Sequence, residues 1–244
     1  MGVVDGKPGN SERNIERENH SGSLKLPRKK KGDKRQMRKK LQRKTSQSMN
    51  DRVQKELKKE KPGLLDKERT DLRFNRIKEI PPDTFKNLSK LHTLLLNNNQ
   101  LSKLQNGVFN GLQELRYLYL YKNKLKEIED RVFQDLNKLE QLYLHFNKIE
   151  KLGSGIFSDM KNLERLFLHN NKLKHISPGA FNHLDNLKRL RLDSNALVCD
   201  CEMMWLAKLL QEKRQITQAA ATCQFPTTME GKSLAEVNDN DFHC

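Results

Sequence analysis

The chain has 244 residues, with 47 Lys and Arg against 31 Asp and Glu for a net charge of +16, and only 35% hydrophobic and 6% aromatic residues. That length suffices for one or two domains, and the low apolar fraction implies that part of the chain joins no core. No run of about 18 apolar residues occurs, which excludes a membrane-spanning helix at the level of sequence.

The charge is unevenly placed. Residues 1–65 hold 20 Lys and Arg and 8 Asp and Glu, net +12, which leaves 27 and 23, net +4, for residues 66–244. The opening MGVVDGKPGNSERN lacks a hydrophobic core segment, so it is not a secretory signal as written. Met1-Gly2 matches the start of a myristoylation motif, but position 6 is Gly6 rather than Ser or Thr. From Arg28 to Lys44, 11 of 17 residues are basic and Asp33 is the only acid. Such a block repels itself and has too few apolar groups to offset chain entropy, so residues 1–65 are predicted to form a disordered basic tail. Val53 and Leu57 lie one helical turn apart, which hints at a short exposed helix ended by Pro62-Gly63. Nuclear import, polyanion binding, processing near Lys34-Arg35 and a plain solvated tail all fit this stretch. No aromatic residue occurs in 1–65, so the tail offers no stacking platform and specific nucleic-acid recognition is not expected.

Beyond the tail the chain repeats itself. Asn75, Asn99, Asn123, Asn147, Asn171 and Asn195 recur every 24 residues, as do Phe85, Phe109, Phe133, Phe157 and Phe181. Between them run Leu94-x-Leu96, Leu118-x-Leu120, Leu142-x-Leu144, Leu166-x-Leu168 and Leu190-x-Leu192. This is the pattern L-x-x-L-x-L-x-x-N-x-L of a leucine-rich repeat. It predicts an α/β leucine-rich repeat solenoid over residues 66–198, with parallel strands on its concave face. Alternation sends each Leu inward and the intervening residue to the open face. The inward Asn must find hydrogen bonds, and a stacked ladder supplies them from neighbouring turns. No coil buries its Leu face alone, so stability is a sum over neighbours and both ends need caps. Thr70 stands where a Leu is expected, so fraying is predicted at the first coil, with Leu72, Phe74 and Ile77 exposed at its edge.

All four cysteines follow the last repeat: Cys199, Cys201, Cys223 and Cys244. Neither zinc-ligand pairs nor a C-x-x-C redox motif is present, and an even, clustered set suggests two disulfides stapling a cap over residues 199–244. Within it, residues 202–210 have helical period, with Trp205, Leu206, Leu209 and Leu210 facing the last coil. Ser233-x-x-Glu236 has the form of a capping box for a second short turn.

Cys199-Asp200-Cys201 followed by Trp205-Leu206 resembles the C-terminal flanking cap of extracellular leucine-rich repeat proteins. That resemblance implies the pairs Cys199–Cys223 and Cys201–Cys244. Segments such as LeuTyrLeuTyrLysAsn (118–123), LeuTyrLeuHisPheAsn (142–147) and LeuArgLeuAspSerAsn (190–195) resemble the repeat region of the peroxidasin family, as GlnAlaAlaAlaThrCys (218–223) resembles its cap. The resemblance runs over about residues 71–244. It implies an extracellular-matrix setting and a binding role for the repeats. Proteins of that family carry a signal peptide and a cysteine-bearing cap before the repeats, and continue into immunoglobulin and haem peroxidase domains. Neither flank is present here, so an incomplete or misjoined N-terminus is expected and the peroxidase activity carries over to no residue.

The intervening strand positions give the candidate binding face. One column is Leu95, Tyr119, Tyr143, Phe167 and Arg191; beside it run Asn97, Tyr121, His145, His169 and Asp193, and on the other side Thr93, Tyr117, Gln141, Arg165 and Arg189. All four Tyr of the chain fall here, and aromatic and Arg enrichment is the composition of interface hot spots. Arg165, Arg189 and Arg191 are expected to pair with acidic groups of a partner. His145 and His169 lack a convergent third ligand and are not assigned a metal. No phosphate loop, H-E-x-x-H or G-x-S-x-G motif occurs, and nothing implies a cofactor. The expectation is a secreted, non-catalytic protein-binding module of the extracellular matrix, and the rival is a nuclear or cytoplasmic adaptor whose tail binds polyanions.

Overall fold

A computed structural model describes residues 68–242. The basic tail predicted over 1–65 and the cap residue Cys244 lie outside the described residues. In chain order the elements are β1 (Arg69–Asp71), β2 (Thr93–Leu95), β3 (Lys103–Leu104), β4 (Tyr117–Tyr119), β5 (Glu127–Ile128), β6 (Gln141–Tyr143), β7 (Arg165–Phe167), β8 (Arg189–Arg191), α1 (Met204–Glu212) and β9 (Gln218–Ala220). Strands β1, β2, β4, β6, β7, β8 and β9 form one parallel sheet in that order, and β3 pairs with β5 in a second. Register follows the repeat: Leu94 lies beside Leu118, Leu118 beside Leu142, Leu142 beside Leu166 and Leu166 beside Leu190. The repeat strands β4, β6, β7 and β8 are three residues long because only the central Leu of each trio points inward, and the chain turns away once that residue is seated.

The ladder asparagines satisfy the turning backbone. Asn147 Nδ2 donates to the carbonyls of Leu120 and Leu144, each at 3.0 Å, and its Oδ1 accepts the Leu125 amide at 3.0 Å. Asn99, Asn123 and Asn195 repeat the same contacts one or more coils away. The residue just before each Asn is left-handed: Phe74, Asn98, Lys122, Phe146, Asn170 and Ser194 all have φ of 54–57°. The convex side is made of turns around a spine of buried Phe rings, stacked 5.9 Å, 6.2 Å and 6.0 Å apart from Phe109 to Phe181.

At the first coil the expected exposure of Leu72 and Ile77 is not what the structure has. Both are buried, because their side chains lie along the solenoid interior and join the core containing Leu94, Leu96 and Leu101. Only Phe74 projects, 75% exposed. Thr70 is buried in the Leu position.

At the other end α1 covers the last coil with Leu206 and Leu210 buried, Trp205 and Leu209 partly so, and Trp205 against Phe181 at 6.2 Å. A 3-10 turn over Cys201–Met203, capped by Asp200, leads into it. Cys199 is bonded to Cys223, with a Cα separation of 5.7 Å. Closing that 24-residue separation stabilises the cap by about 3 kcal/mol in the chain-entropy account. Cys201 is also disulfide-bonded. The capping box stands at Asn238 and Asp241 rather than at Ser233 and Glu236, whose backbones instead close an ordinary turn.

Candidate functional site

The parallel register places the three predicted columns side by side. In the central column Tyr119 and Tyr143 stack at 4.7 Å with their planes 6° apart, and Tyr143 meets Phe167 edge-on at 5.1 Å. In the next column Tyr121, His145 and His169 form a second stack, at 4.7 Å and 4.5 Å. Centroid spacings this short follow from strands that lie about 4.8 Å apart. The two stacks touch through Tyr143 and His145 at 6.1 Å. The result is a two-row aromatic surface across three coils, half-exposed along Tyr119, Tyr121, Tyr143, His145 and Phe167.

Parts of both rows are more buried than their strand positions imply. Leu95, Asn97 and His169 are buried, where alternation alone places them on an open face. Rings stacked at van der Waals spacing shield one another, which period-two alternation does not describe. Asn97 Nδ2 and Oδ1 and the Nδ1 atoms of His145 and His169 are buried without a hydrogen-bond partner. Burial pushes the His145 pKa down to about 4, helped by the charges of His169, Arg191 and Lys122. His169 is lowered too, by burial and then by Arg191, against the pull of Asp193. Both rings are therefore neutral at physiological pH. The Tyr119 phenol is raised, chiefly by burial.

The arginines divide. Arg191 does not wait for a partner's acid: its guanidinium grips Asp193 through Nε at 2.9 Å and NH2 at 2.6 Å. Burial alone would raise the Asp193 carboxyl, but the Arg191 hydrogen bond and charge hold it below the usual range. Arg191, expected to grip a partner's acid, is thus already held in an internal pair with an acid two residues on, just past the end of its strand. Arg189 donates to Gln218 on β9. Arg165 is exposed and in no ion pair among the described residues. Tyr117 donates to Glu140, which also holds Arg116 at 2.6 Å. At the far edge Asp71 and Arg73 form a second internal pair, and the Arg73 hydrogen bonds lower the Asp71 carboxyl.

Two residues of this rim were not assigned from sequence. Phe74 and Phe146 occupy the left-handed position before the ladder Asn, a conformation unfavourable for bulky side chains, yet they are 75% and 47% exposed. Phe146 packs edge-on against His145 and His169 and lies under the Lys122 ammonium at 5.9 Å. An aromatic residue one place before the consensus Asn is the sequence signal that marks them.

The leucine rich repeat family pattern matches residues 69–120, 89–149 and 142–197. The chain belongs to the leucine-rich repeat family. Among curated relatives it is 78% identical over 176 residues to a human protein named "Probable oxidoreductase PXDNL", a match covering 71% of this chain and 12% of that protein. It is 54% identical over 51 residues to the mouse peroxidasin homolog and 52% over 50 residues to the human one, each covering 20% of this chain and 4% and 3% of the relative. The chain thus spans about an eighth or less of the length of these relatives. Its repeats resemble those of peroxidasins, and repeats of this kind suggest a protein-interaction module. No helix among the described residues is long and apolar enough to cross a membrane.

Proposed function

We propose that residues 66–198 are a non-catalytic module that binds a protein of the extracellular matrix through the concave face, with residues 199–244 as its cap and residues 1–65 as a tail. The observation that carries this is the two-row aromatic surface of Tyr119, Tyr143 and Phe167 beside Tyr121, His145 and His169. Rigid, half-exposed rings are what hot spots are built from, since little side-chain freedom is lost when they are covered. Arg165 and Arg189 flank the rings and Phe146 extends them, so apolar contact and charge lie within one footprint. Disulfide bonding at Cys199, Cys223 and Cys201 supports an oxidising compartment over a nuclear or cytoplasmic one. The name of the human relative says that the whole protein is a probable oxidoreductase; in this reading the repeats supply that protein's contacts and not its chemistry.

The test is a pair of substitutions measured against a panel of purified matrix proteins. Tyr143→Ala removes a ring that contributes about 2 kcal/mol or more of binding if it is a hot spot, with little change in melting temperature. Phe157→Ala, in the buried spine, lowers stability by about 3–5 kcal/mol through a core cavity. Matrix binding that survives Tyr143→Ala combined with Arg189→Ala rules out the concave face.

A further inference from the structure

The side of the solenoid that follows the ladder asparagines carries a second surface, chemically unlike the first. One place after four of the six ladder asparagines stand Arg76, Lys124, Lys148 and Lys172, all exposed, while Gln100 and Ala196 hold the place after Asn99 and Asn195. Two places further on are Lys78, Lys126 and Lys174, with Lys103 and Lys151 beside them, again exposed. The buried residue between the rows (Ile77, Leu125, Ile149 or Leu173) forces its two neighbours outward, both cations in three of these coils and Lys148 with Glu150 in the other. Backbone bonds lock the coils in register here: Lys124 donates to Leu101, Lys148 to Leu125 and Lys172 to Ile149. Five coils at about 4.8 Å make a band roughly 19 Å long.

The charge on this band is concentrated and unspent. Residues 76–80, 100–104, 124–128, 148–152 and 172–176 contain nine Lys and Arg against three Glu, net +6, whereas residues 66–244 together are net +4. The remainder of the folded region is therefore net −2. None of the nine cations is in an ion pair among the described residues, although Lys138, Lys188 and Arg116 on other faces all are.

At its C-terminal end the band opens into a cleft of about 870 Å³ between the last coils and the cap. Lys151, Lys172 and Lys174 line one part of it, and Leu152, Ile176 and Pro178 supply apolar wall. The rest of the polar lining is Glu150, Ser177, Glu202 and His175, the last paired with Asp200 at 3.0 Å. That volume lies within the range of small-ligand sites and admits a short stretch of a polymer.

We infer that this lateral band binds a linear sulfated polysaccharide, with one end of the bound stretch seated in the cleft. The unpaired ammonium groups of Lys124, Lys148 and Lys172, one coil apart, match a chain of regularly spaced sulfates through charge-assisted hydrogen bonds. The apolar wall fits the C–H faces of sugar rings, and the acids of the cleft accept from hydroxyl groups. The band has no aromatic residue, so nucleic-acid bases have nothing to stack on. The disulfides also suit the compartment in which sulfated polysaccharides occur. The surface is separate from the concave aromatic rows and does not depend on their role.

The full chain carries a basic tail that would itself bind polyanions, so the test is made in a full-length background with the 11 Lys and Arg of residues 28–44 replaced by Gln. Size-defined heparin oligosaccharide is the probe, titrated over a range of salt. Adding Lys124→Gln, Lys148→Gln and Lys172→Gln is expected to weaken binding about tenfold or more and to reduce the slope of log affinity against log salt by about 2, at roughly 0.7 per cation lost. Lys86→Gln, Arg131→Gln and Lys161→Gln remove the same charge from other exposed positions and should change affinity less than about threefold. Equal losses in the two triple variants, or no loss in the first, would overturn the site. Duplex DNA or anionic vesicles bound as tightly as heparin would overturn the assignment to a polysaccharide. Tyr143→Ala should leave heparin affinity unchanged, which separates failure here from failure of the concave reading.

Discussion

Replacing Asn147 by Ala measures what the asparagine ladder contributes. The substitution removes two good donor bonds, to Leu120 and Leu144, and one acceptor bond, from Leu125. The losses are unequal in kind. The Leu120 carbonyl still receives Asn123 at 3.0 Å, and the Leu144 carbonyl still receives Asn171 at 3.0 Å. Only the buried Leu125 amide is left with nothing. An orphaned buried donor costs about 1–3 kcal/mol and each duplicated bond about 0.5–1, so the sum is about 3 kcal/mol. Among the described residues Asn75, at the first coil, donates only to the carbonyls of Leu72 and Arg73, and Leu72 keeps Asn99. Asn75→Ala strands no amide among the described residues and should cost about 1 kcal/mol. Urea denaturation followed by circular dichroism separates the two: with a slope of about 2 kcal/mol per M, the midpoint falls by about 1.5 M for Asn147→Ala and about 0.5 M for Asn75→Ala. Equal shifts for both variants at unchanged slope would refute the view that the orphaned amide dominates.

Acid should loosen the concave face. His145, held neutral by burial with its pKa near 4, and His169, lowered likewise, titrate near 6.5 once unfolded, so their stabilisation is complete above about pH 6.5 and is lost as pH falls toward about 4. Discounted for a half-exposed ring, His145 accounts for about 1–2 kcal/mol, so the melting temperature should drop between about pH 7 and about pH 4.5 and drop less in His145→Phe; identical pH profiles would remove the histidines from the account. Gly111 has φ of +83°, and a β-carbon there would overlap the Lys86 carbonyl, whereas Gly155 has open space around it. Gly111→Ala should therefore destabilise by about 2 kcal/mol or more while Gly155→Ala stays within about 0.5 kcal/mol in the same urea assay.

The architecture was legible because a 24-residue period and an L-x-L alternation each fix one coordinate: the first says which residues are neighbours across coils, the second which way they point. Tyr119, Tyr143 and Phe167 fall in one row for that reason. What lay beyond reach depends on distances between side chains. Arg191 turning to Asp193, His169 disappearing beneath its neighbours and the cations after four of the ladder asparagines forming one band are all consequences of how tightly coils stack, which the period does not encode. Cys199–Cys223 was available only through family likeness, since four cysteines allow three pairings.

The ladder also has a direction. Each asparagine fastens its own turn and the one before it, as Asn195 does for the Leu168 carbonyl and the Leu173 amide, and never the turn after it. A coil emerging from the ribosome therefore stays unlatched until the next asparagine has been made, and growth of the solenoid follows the order of synthesis. The final coil has no successor, and its latch is of another kind: Leu192 donates to Ala220 and Cys199 to Phe225, from a segment that the disulfide ties in place. Oxidation at Cys199 and Cys223 is thus the event that closes a reaction begun at β1, and a chain made without it would have latched coils from β1 to β7 and a loose final coil.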